Sequence, residues 1–143
     1  MKTEAQKGFT LIELVVVIAL LGILAAFAIP RFASLETEAR SAVTQGLSGS
    51  VRSAAAMAHG LHLARGTASV DMEGNTIDIV NGYPDAETII LTLADVSGFD
   101  APVITGGTTA TIAKSGAPGV CQVVYVEAGV GTPPSVTPTV TGC

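Results

Sequence analysis

The chain has 143 residues and a net charge of −5, from 12 acids against 7 Lys and Arg. That balance gives little electrostatic support for nucleic-acid binding, which needs Lys and Arg to neutralise phosphates. With 48% hydrophobic residues, 13% charged residues and no Trp, the chain fits one modest domain plus an apolar anchor, and its length leaves little room for a second domain.

Residues 1–8, MKTEAQKG, are short and polar and end in Gly. Residues 14–29 then contain no charged or polar side chain, and counting back to Phe9 gives 21 residues interrupted only by Thr10 and Glu13. At about 1.5 Å per residue this run is roughly 30 Å long, the thickness of a bilayer core. Gly22 weakens the helical pattern, and Pro30, which has no N–H for the Ala26 carbonyl, predicts a kink. Past Pro30 the helix resumes to about residue 64. Phe32, Leu35, Ala39, Val43, Leu47, Val51, Ala54 and Ala58 recur at spacings of three and four and form one expected apolar stripe. Gly46, Gly49 and Gly60 lower its intrinsic stability by up to about 1 kcal/mol each, so it depends on packing.

After Gly66 the period changes to two. Val70 and Met72, then Ile77 and Ile79, predict a hairpin turning at Gly74-Asn75. Asn81-Gly82-Tyr83-Pro84 reads as a second turn. Asp85 is placed to cap a short helix with Ala86, Ile89, Ile90, Leu93 and Val96 on one face, although residues 89–93 also fit a strand. Gly106-Gly107 reads as a turn, and residues 109–113 as a strand. Residues 120–126 form a strong strand, with Cys121, Val123 and Tyr125 on one face and Val120, Val124 and Val126 on the other. A Gly/Pro turn at 129–134 leads to a last extended segment ending at Cys143. The expected fold class is α+β: a long N-terminal helix, half transmembrane and half amphipathic, packed on a small antiparallel sheet.

The charges are segregated. Residues 31–65 hold four Arg against Glu36 and Glu38, whereas beyond Arg65 Lys114 stands alone against eight acids. The plain reading is scattered solubilising charge; the sharper one is that basic helices meet acidic heads of neighbouring copies. Cys121 and Cys143 are the two cysteines. In an exported domain such a pair forms a disulfide, closing a loop of about 23 residues and contributing roughly 3 kcal/mol in the loop-entropy model; two buried free thiols are the alternative. His59 and His62 share a helix face, but a zinc site needs more ligands. The acids at 71, 73, 78, 85, 87, 95 and 100 match no compact calcium loop. No Ser/His/Asp or Cys/His set is evident, so neither a metal nor another cofactor is expected and the chain reads as a non-enzyme.

The informative segment is Gly8-Phe9-Thr10-Leu11-Ile12-Glu13 at the head of the apolar run. It resembles the prepilin signature of type IV pilins and type II secretion pseudopilins. The resemblance implies a leader of residues 1–8 cut by a prepilin peptidase between Gly8 and Phe9, and N-methylation of Phe9. It also implies an assembly helix over 9–30 and a periplasmic or extracellular head over 31–143, with helix 31–64 and a sheet and disulfide loop over 66–143. Glu13 matches the family's acidic residue, and Gly22 and Pro30 its helix-weakening positions. A carboxylate four residues into a membrane helix costs roughly 2.5–3.5 kcal/mol at mid-membrane and less near the interface, so a partner is expected, and the α-amino group of Phe9 on an adjacent copy would serve. A secretory signal cut after Ala26-Phe27-Ala28 fits poorly, because Lys2 and Lys7 are offset by Glu4 and Glu13. A plain anchor gives no reason for Glu13.

Residues 40–60 with Gln45-Gly46-Leu47, and then Gly82-Tyr83-Pro84, resemble the mannose-sensitive haemagglutinin group of pilins. The implied function is a structural subunit of a surface filament for attachment. The alternatives are a pseudopilin of a type II secretion system or a minor pilin of a DNA-uptake pilus. The implied partners are other copies of the chain, the prepilin peptidase, the inner-membrane assembly machinery and, before assembly, the membrane itself with the N-terminus cytoplasmic. The loop between the cysteines is where such proteins diverge, so no receptor is legible in it.

Overall fold

The computed structural model describes residues 8–143, apart from the side chains of residues 29–33. Most of the expected leader, and the side chains of Pro30, Arg31 and Phe32, therefore lie outside the described residues. The chain divides into two units, Met1–Glu36 and Thr37–Cys143. The first contains the start of a single helix, α1 (Leu11–Arg65), which includes both Gly22 and Pro30. Residues 11–28 form a stretch long and apolar enough to cross a membrane, and none of it is buried.

The second unit is the head. Seven strands follow α1: β1 (Ser69–Met72), β2 (Asn75–Val80), β3 (Tyr83–Pro84), β4 (Val103–Thr105), β5 (Thr109–Ala113), β6 (Gln122–Val126) and β7 (Ser135–Thr139). They make two antiparallel meanders, β1-β2-β3 and β4-β5-β6-β7, where one sheet was expected. The larger core joins Leu47, Val51 and Ala55 of α1 to Ile112, Val123 and Tyr125 of the four-stranded sheet, with Ile89 beside them. A smaller core sets Ala58 against Val70, Met72 and Ile77. The architecture is the expected α+β arrangement of a long helix and antiparallel strands.

Several local expectations shift. Of the expected stripe on α1, Leu47, Val51, Ala54 and Ala58 are buried, whereas Leu35 is 57% exposed and Val43 49%; Thr44, Ser48 and Ala55 are buried as well. The hairpin between β1 and β2 turns at Glu73-Gly74 instead of Gly74-Asn75, with Met72 opposite Asn75. Both turn residues have positive φ, 49° and 79°, which is the type I′ geometry that favours Gly in second place. Asn75 is held by side-chain bonds to the carbonyls of Glu73 and Leu91. Asn81-Gly82 is a second I′ turn, and it makes Tyr83-Pro84 a strand paired with β2.

The expected helix after Asp85 contracts to one 3-10 turn, Ile89–Thr92. Asp85 Oδ1 does accept from the Thr88 backbone N–H at 2.8 Å, but Leu93 is already extended. Strand β5 has the expected bounds, β6 begins two residues later than expected, and β7 supplies the last extended segment. β4 is an element the sequence pattern did not indicate.

Candidate functional site

In the N-terminal unit the apolar run presents its side chains outward, and Phe9 is 95% exposed. Residues 8–10 precede the helix, so Gly8-Phe9 is a non-helical dipeptide. Glu13 lies in the first helical turn, where its carboxylate Oε2 accepts the Thr10 backbone N–H at 2.8 Å and the Thr10 hydroxyl at 2.7 Å. The Glu13 backbone N–H points back to Thr10 Oγ at 3.3 Å. This reciprocal pair is a capping box: Thr10 closes one open helix donor and Glu13 another. The negative charge also sits at the positive end of the helix dipole. Among the described residues Glu13 Oε1 has no partner, so one face of the carboxylate stays available. Thr10 was not singled out from the sequence, although Thr-x-x-Glu before an apolar run is the spacing that marks such a box.

Gly22 has open space where a Cβ would stand, so nothing inside the chain demands glycine there. In this single chain α1 runs through Gly22 and Pro30 alike.

In the head, Cys121 and Cys143 are joined as a disulfide, both cysteines almost fully buried. The helix holds the same region. Arg40 Nη1 donates to the Cys143 carbonyl at 3.1 Å, and Arg52 Nη2 to the Val136 carbonyl at 2.6 Å. The Thr44 hydroxyl lies 3.3 Å from Cys121 Sγ. Two of the four arginines thus bond the chain's own C-terminal segment, Arg52 on β7 and Arg40 on Cys143 beyond it. The backbones of Gly119 and Gly142 meet directly, bonded from Gly119 N–H to the Gly142 carbonyl at 3.0 Å.

His59 stacks on Tyr83 at 4.2 Å between ring centroids, and its Nδ1 lies 2.7 Å from the Gly82 carbonyl. His62 Nδ1 lies 2.7 Å from the Thr67 carbonyl. His59 thus ties the helix to the β2–β3 turn, and His62 to the segment that leaves the helix. Among the described residues no group of three His, Cys, Asp or Glu is placed to hold a metal ion.

A family model described as "Prokaryotic N-terminal methylation motif" matches residues 5–29. The type IV major fimbrial protein FimA of Dichelobacter nodosus (strain VCS1703A) is 37% identical over 115 residues, covering 73% of this chain and 70% of that protein. The type IV narrow pilus major component PilA5 of Thermus thermophilus is 52% identical over 52 residues, 36% of this chain and 45% of that one. A fimbrial protein of Pseudomonas aeruginosa is 56% identical over 45 residues, 32% of this chain and 28% of that one. No solved structure matches the chain.

Proposed function

The chain belongs to the type IV pilin family, and from that premise we propose that it is the major structural subunit of a surface filament used for attachment. The observation that carries this reading is the apolar stretch of α1 over residues 11–28, with no buried residue and one carboxylate at its head. Such a helix is stable in a bilayer or against copies of itself, and the carboxylate needs a cation once lipid headgroups and water are gone. The relatives called major fimbrial protein and major component support a major subunit over a secretion pseudopilin or a minor pilin of DNA uptake. The resemblance of the 40–60 segment supports a mannose-sensitive-haemagglutinin-like pilin.

In this reading a prepilin peptidase cuts between Gly8 and Phe9 and Phe9 becomes the methylated N-terminus. The subunit waits in the inner membrane until the assembly machinery adds it to the filament. Glu13 keeps one oxygen on its own Thr10 and turns the other to the Phe9 amine of a neighbour. Removing both groups from water costs several kcal/mol unless they pair, so the contact acts mainly as a register device. The segment from Gly22 to Pro30, with weak backbone support, loosens in the filament and lets it stretch.

The test is Glu13→Val. The helix becomes more apolar, so the variant inserts and is cleaved, with mass spectrometry showing an N-terminal methylated Phe9. Filaments fail to form or lose their regular rise in electron-microscopic reconstruction. A wild-type N-terminus at Ile29, or Glu13→Val filaments of normal yield and rise, rejects the proposal.

A further inference from the structure

His59 and His62 stand near the end of α1, and side chains three apart on a helix are neighbours, with Cβ atoms about 5–6 Å apart. Their spacing says nothing about their protons, but their hydrogen bonds do. Nδ1 of His59 lies 2.7 Å from the Gly82 carbonyl, and Nδ1 of His62 lies 2.7 Å from the Thr67 carbonyl. A carbonyl oxygen has no proton to give, so in both rings Nδ1 carries the hydrogen and donates it. A neutral imidazole in that tautomer keeps its lone pair on Nε2. Among the described residues neither Nε2 has a hydrogen-bond partner. The bonds to the two turns account for Nδ1 and leave Nε2 without a role. An Nδ1–H held by a backbone carbonyl is also the arrangement that orients a histidine for metal ligation through Nε2.

Gly82 brings the two rings to one place. A Cβ there would stand 3.4 Å from His59 Cε1 and 3.8 Å from His62 Cδ2. Each of these carbons is bonded to its ring's Nε2, and Gly82 puts no side chain beside them. His59 is further fixed by stacking on Tyr83, with centroids 4.2 Å apart and planes 5° from parallel. Stacking engages the faces of the ring, whereas the Nε2 lone pair lies in its plane.

We propose that His59 Nε2 and His62 Nε2 together bind one divalent transition-metal ion, Cu²⁺ ahead of Ni²⁺ and Zn²⁺, with water in the remaining positions. Imidazole nitrogen suits these ions, and Cu²⁺ stands highest among them in affinity. Ca²⁺ and Mg²⁺ take oxygen ligands and find none in the pair. No third His, Cys, Asp or Glu joins the two among the described residues. The ion is therefore held more loosely than in a three- or four-ligand zinc centre, and it keeps exchangeable positions. Arg65, exposed at the end of the helix, loosens it further by charge repulsion. The site lies within the head and does not depend on the filament reading.

The experiment titrates Cu²⁺ into the detergent-solubilised full-length chain in a non-coordinating buffer, followed by calorimetry and by electron paramagnetic resonance. Wild type takes up one ion whose spectrum shows coupling to two imidazole nitrogens, and a large excess of Ca²⁺ or Mg²⁺ does not displace it. The informative variants are His59→Asn and His62→Asn. The Asn amide keeps a donor near the place of Nδ1, so the carbonyl bond survives, but nothing replaces Nε2. Each variant should bind Cu²⁺ at least about 10- to 100-fold more weakly, since losing a ligand costs no less than losing the group that orients one. Circular dichroism confirms the fold, and because His62 makes no ring stack, His62→Asn decides the matter if His59→Asn unfolds. Binding by folded His62→Asn at wild-type affinity overturns the proposal. So does a wild-type spectrum with one imidazole nitrogen or none, which would place the ion elsewhere on the chain, or displacement of the ion by Ca²⁺.

Discussion

At the scale of single residues, Gly142 shows how close the packing of the cysteine region is. A Cβ there would stand 2.2 Å from the Val120 nitrogen and 2.6 Å from the Gly119 carbonyl carbon, both of them backbone atoms that cannot swing away. Gly142→Ala should therefore destabilise the head by about 3 kcal/mol, read as a lower denaturation midpoint with unchanged slope. Tyr125 is the buried polar residue with most at stake. Its hydroxyl donates to the Pro84 carbonyl at 2.6 Å and so ties β6 to β3. Burial first, and then the nearby charges of Glu127 and Asp85, push the phenol well above its ordinary range. A raised folded-state value means the protonated form is favoured by folding. Its contribution is fully present below about pH 10 and is lost as pH climbs above that. Head stability followed by circular dichroism should stay level through neutral pH and fall above about pH 10. Tyr125→Phe should remove that alkaline fall while lowering neutral-pH stability by about 1–3 kcal/mol, because the Pro84 carbonyl loses its donor.

At the scale of elements, the disulfide closes a segment of sequence separation 22 that contains all of β6 and β7. Cys121→Ser with Cys143→Ser should lower head stability by about 3 kcal/mol in urea titrations, the loop-entropy expectation for that length. The Arg52 bond keeps β7 against the helix, and the Arg40 bond and the Gly119–Gly142 backbone pair hold the residues after it, so the variant should still fold. What was legible in the sequence follows from how local each signal is. Strands β5 and β6 stood out because Ala110 and Ile112, and Val123 and Tyr125, alternate with less buried neighbours. β4 was missed because three residues, Val103, Ile104 and Thr105, are too few to show a period. The core face of α1 was legible at Leu47, Val51, Ala54 and Ala58 but was drawn too narrow, because Thr44 and Ser48 look polar in sequence yet are buried, their hydroxyls bonded to the carbonyls of Arg40 and Gln45. The division of the strands into two sheets depends on contacts distant in sequence, such as Asn81 to the Ala128 carbonyl, which no local pattern encodes. At the head of the apolar run Gly8, Phe9 and Glu13 are singled out by their order alone, while the bonds of Thr10 to Glu13 needed the geometry.

At the scale of the whole molecule, the two units ask for different surroundings. The head has a packed interior and an acidic exterior, and water suits it. The first unit has neither: twelve large apolar side chains between Leu11 and Phe27 are exposed, Leu11 by 80% and Phe27 by 77%. Moving such a set from an apolar medium into water costs on the order of 20 kcal/mol at about 1.5–3 kcal/mol per side chain. A dissolved, solitary subunit is consequently almost unpopulated, and the exchange that builds a fibre runs between lipid and fibre with no aqueous pool between them. Growth is then set by how many subunits occupy each unit area of membrane, and a fibre severed from the cell has nowhere to lose subunits to. Sheared filaments diluted a thousandfold into buffer should keep their length distribution for days under the electron microscope, whatever the final concentration. Adding detergent above its micelle threshold restores an apolar phase and should shorten them. Length that falls with dilution alone would mean that the helix finds shelter in water after all. The same exposed stripe that makes the chain insoluble by itself would make its polymer indifferent to dilution.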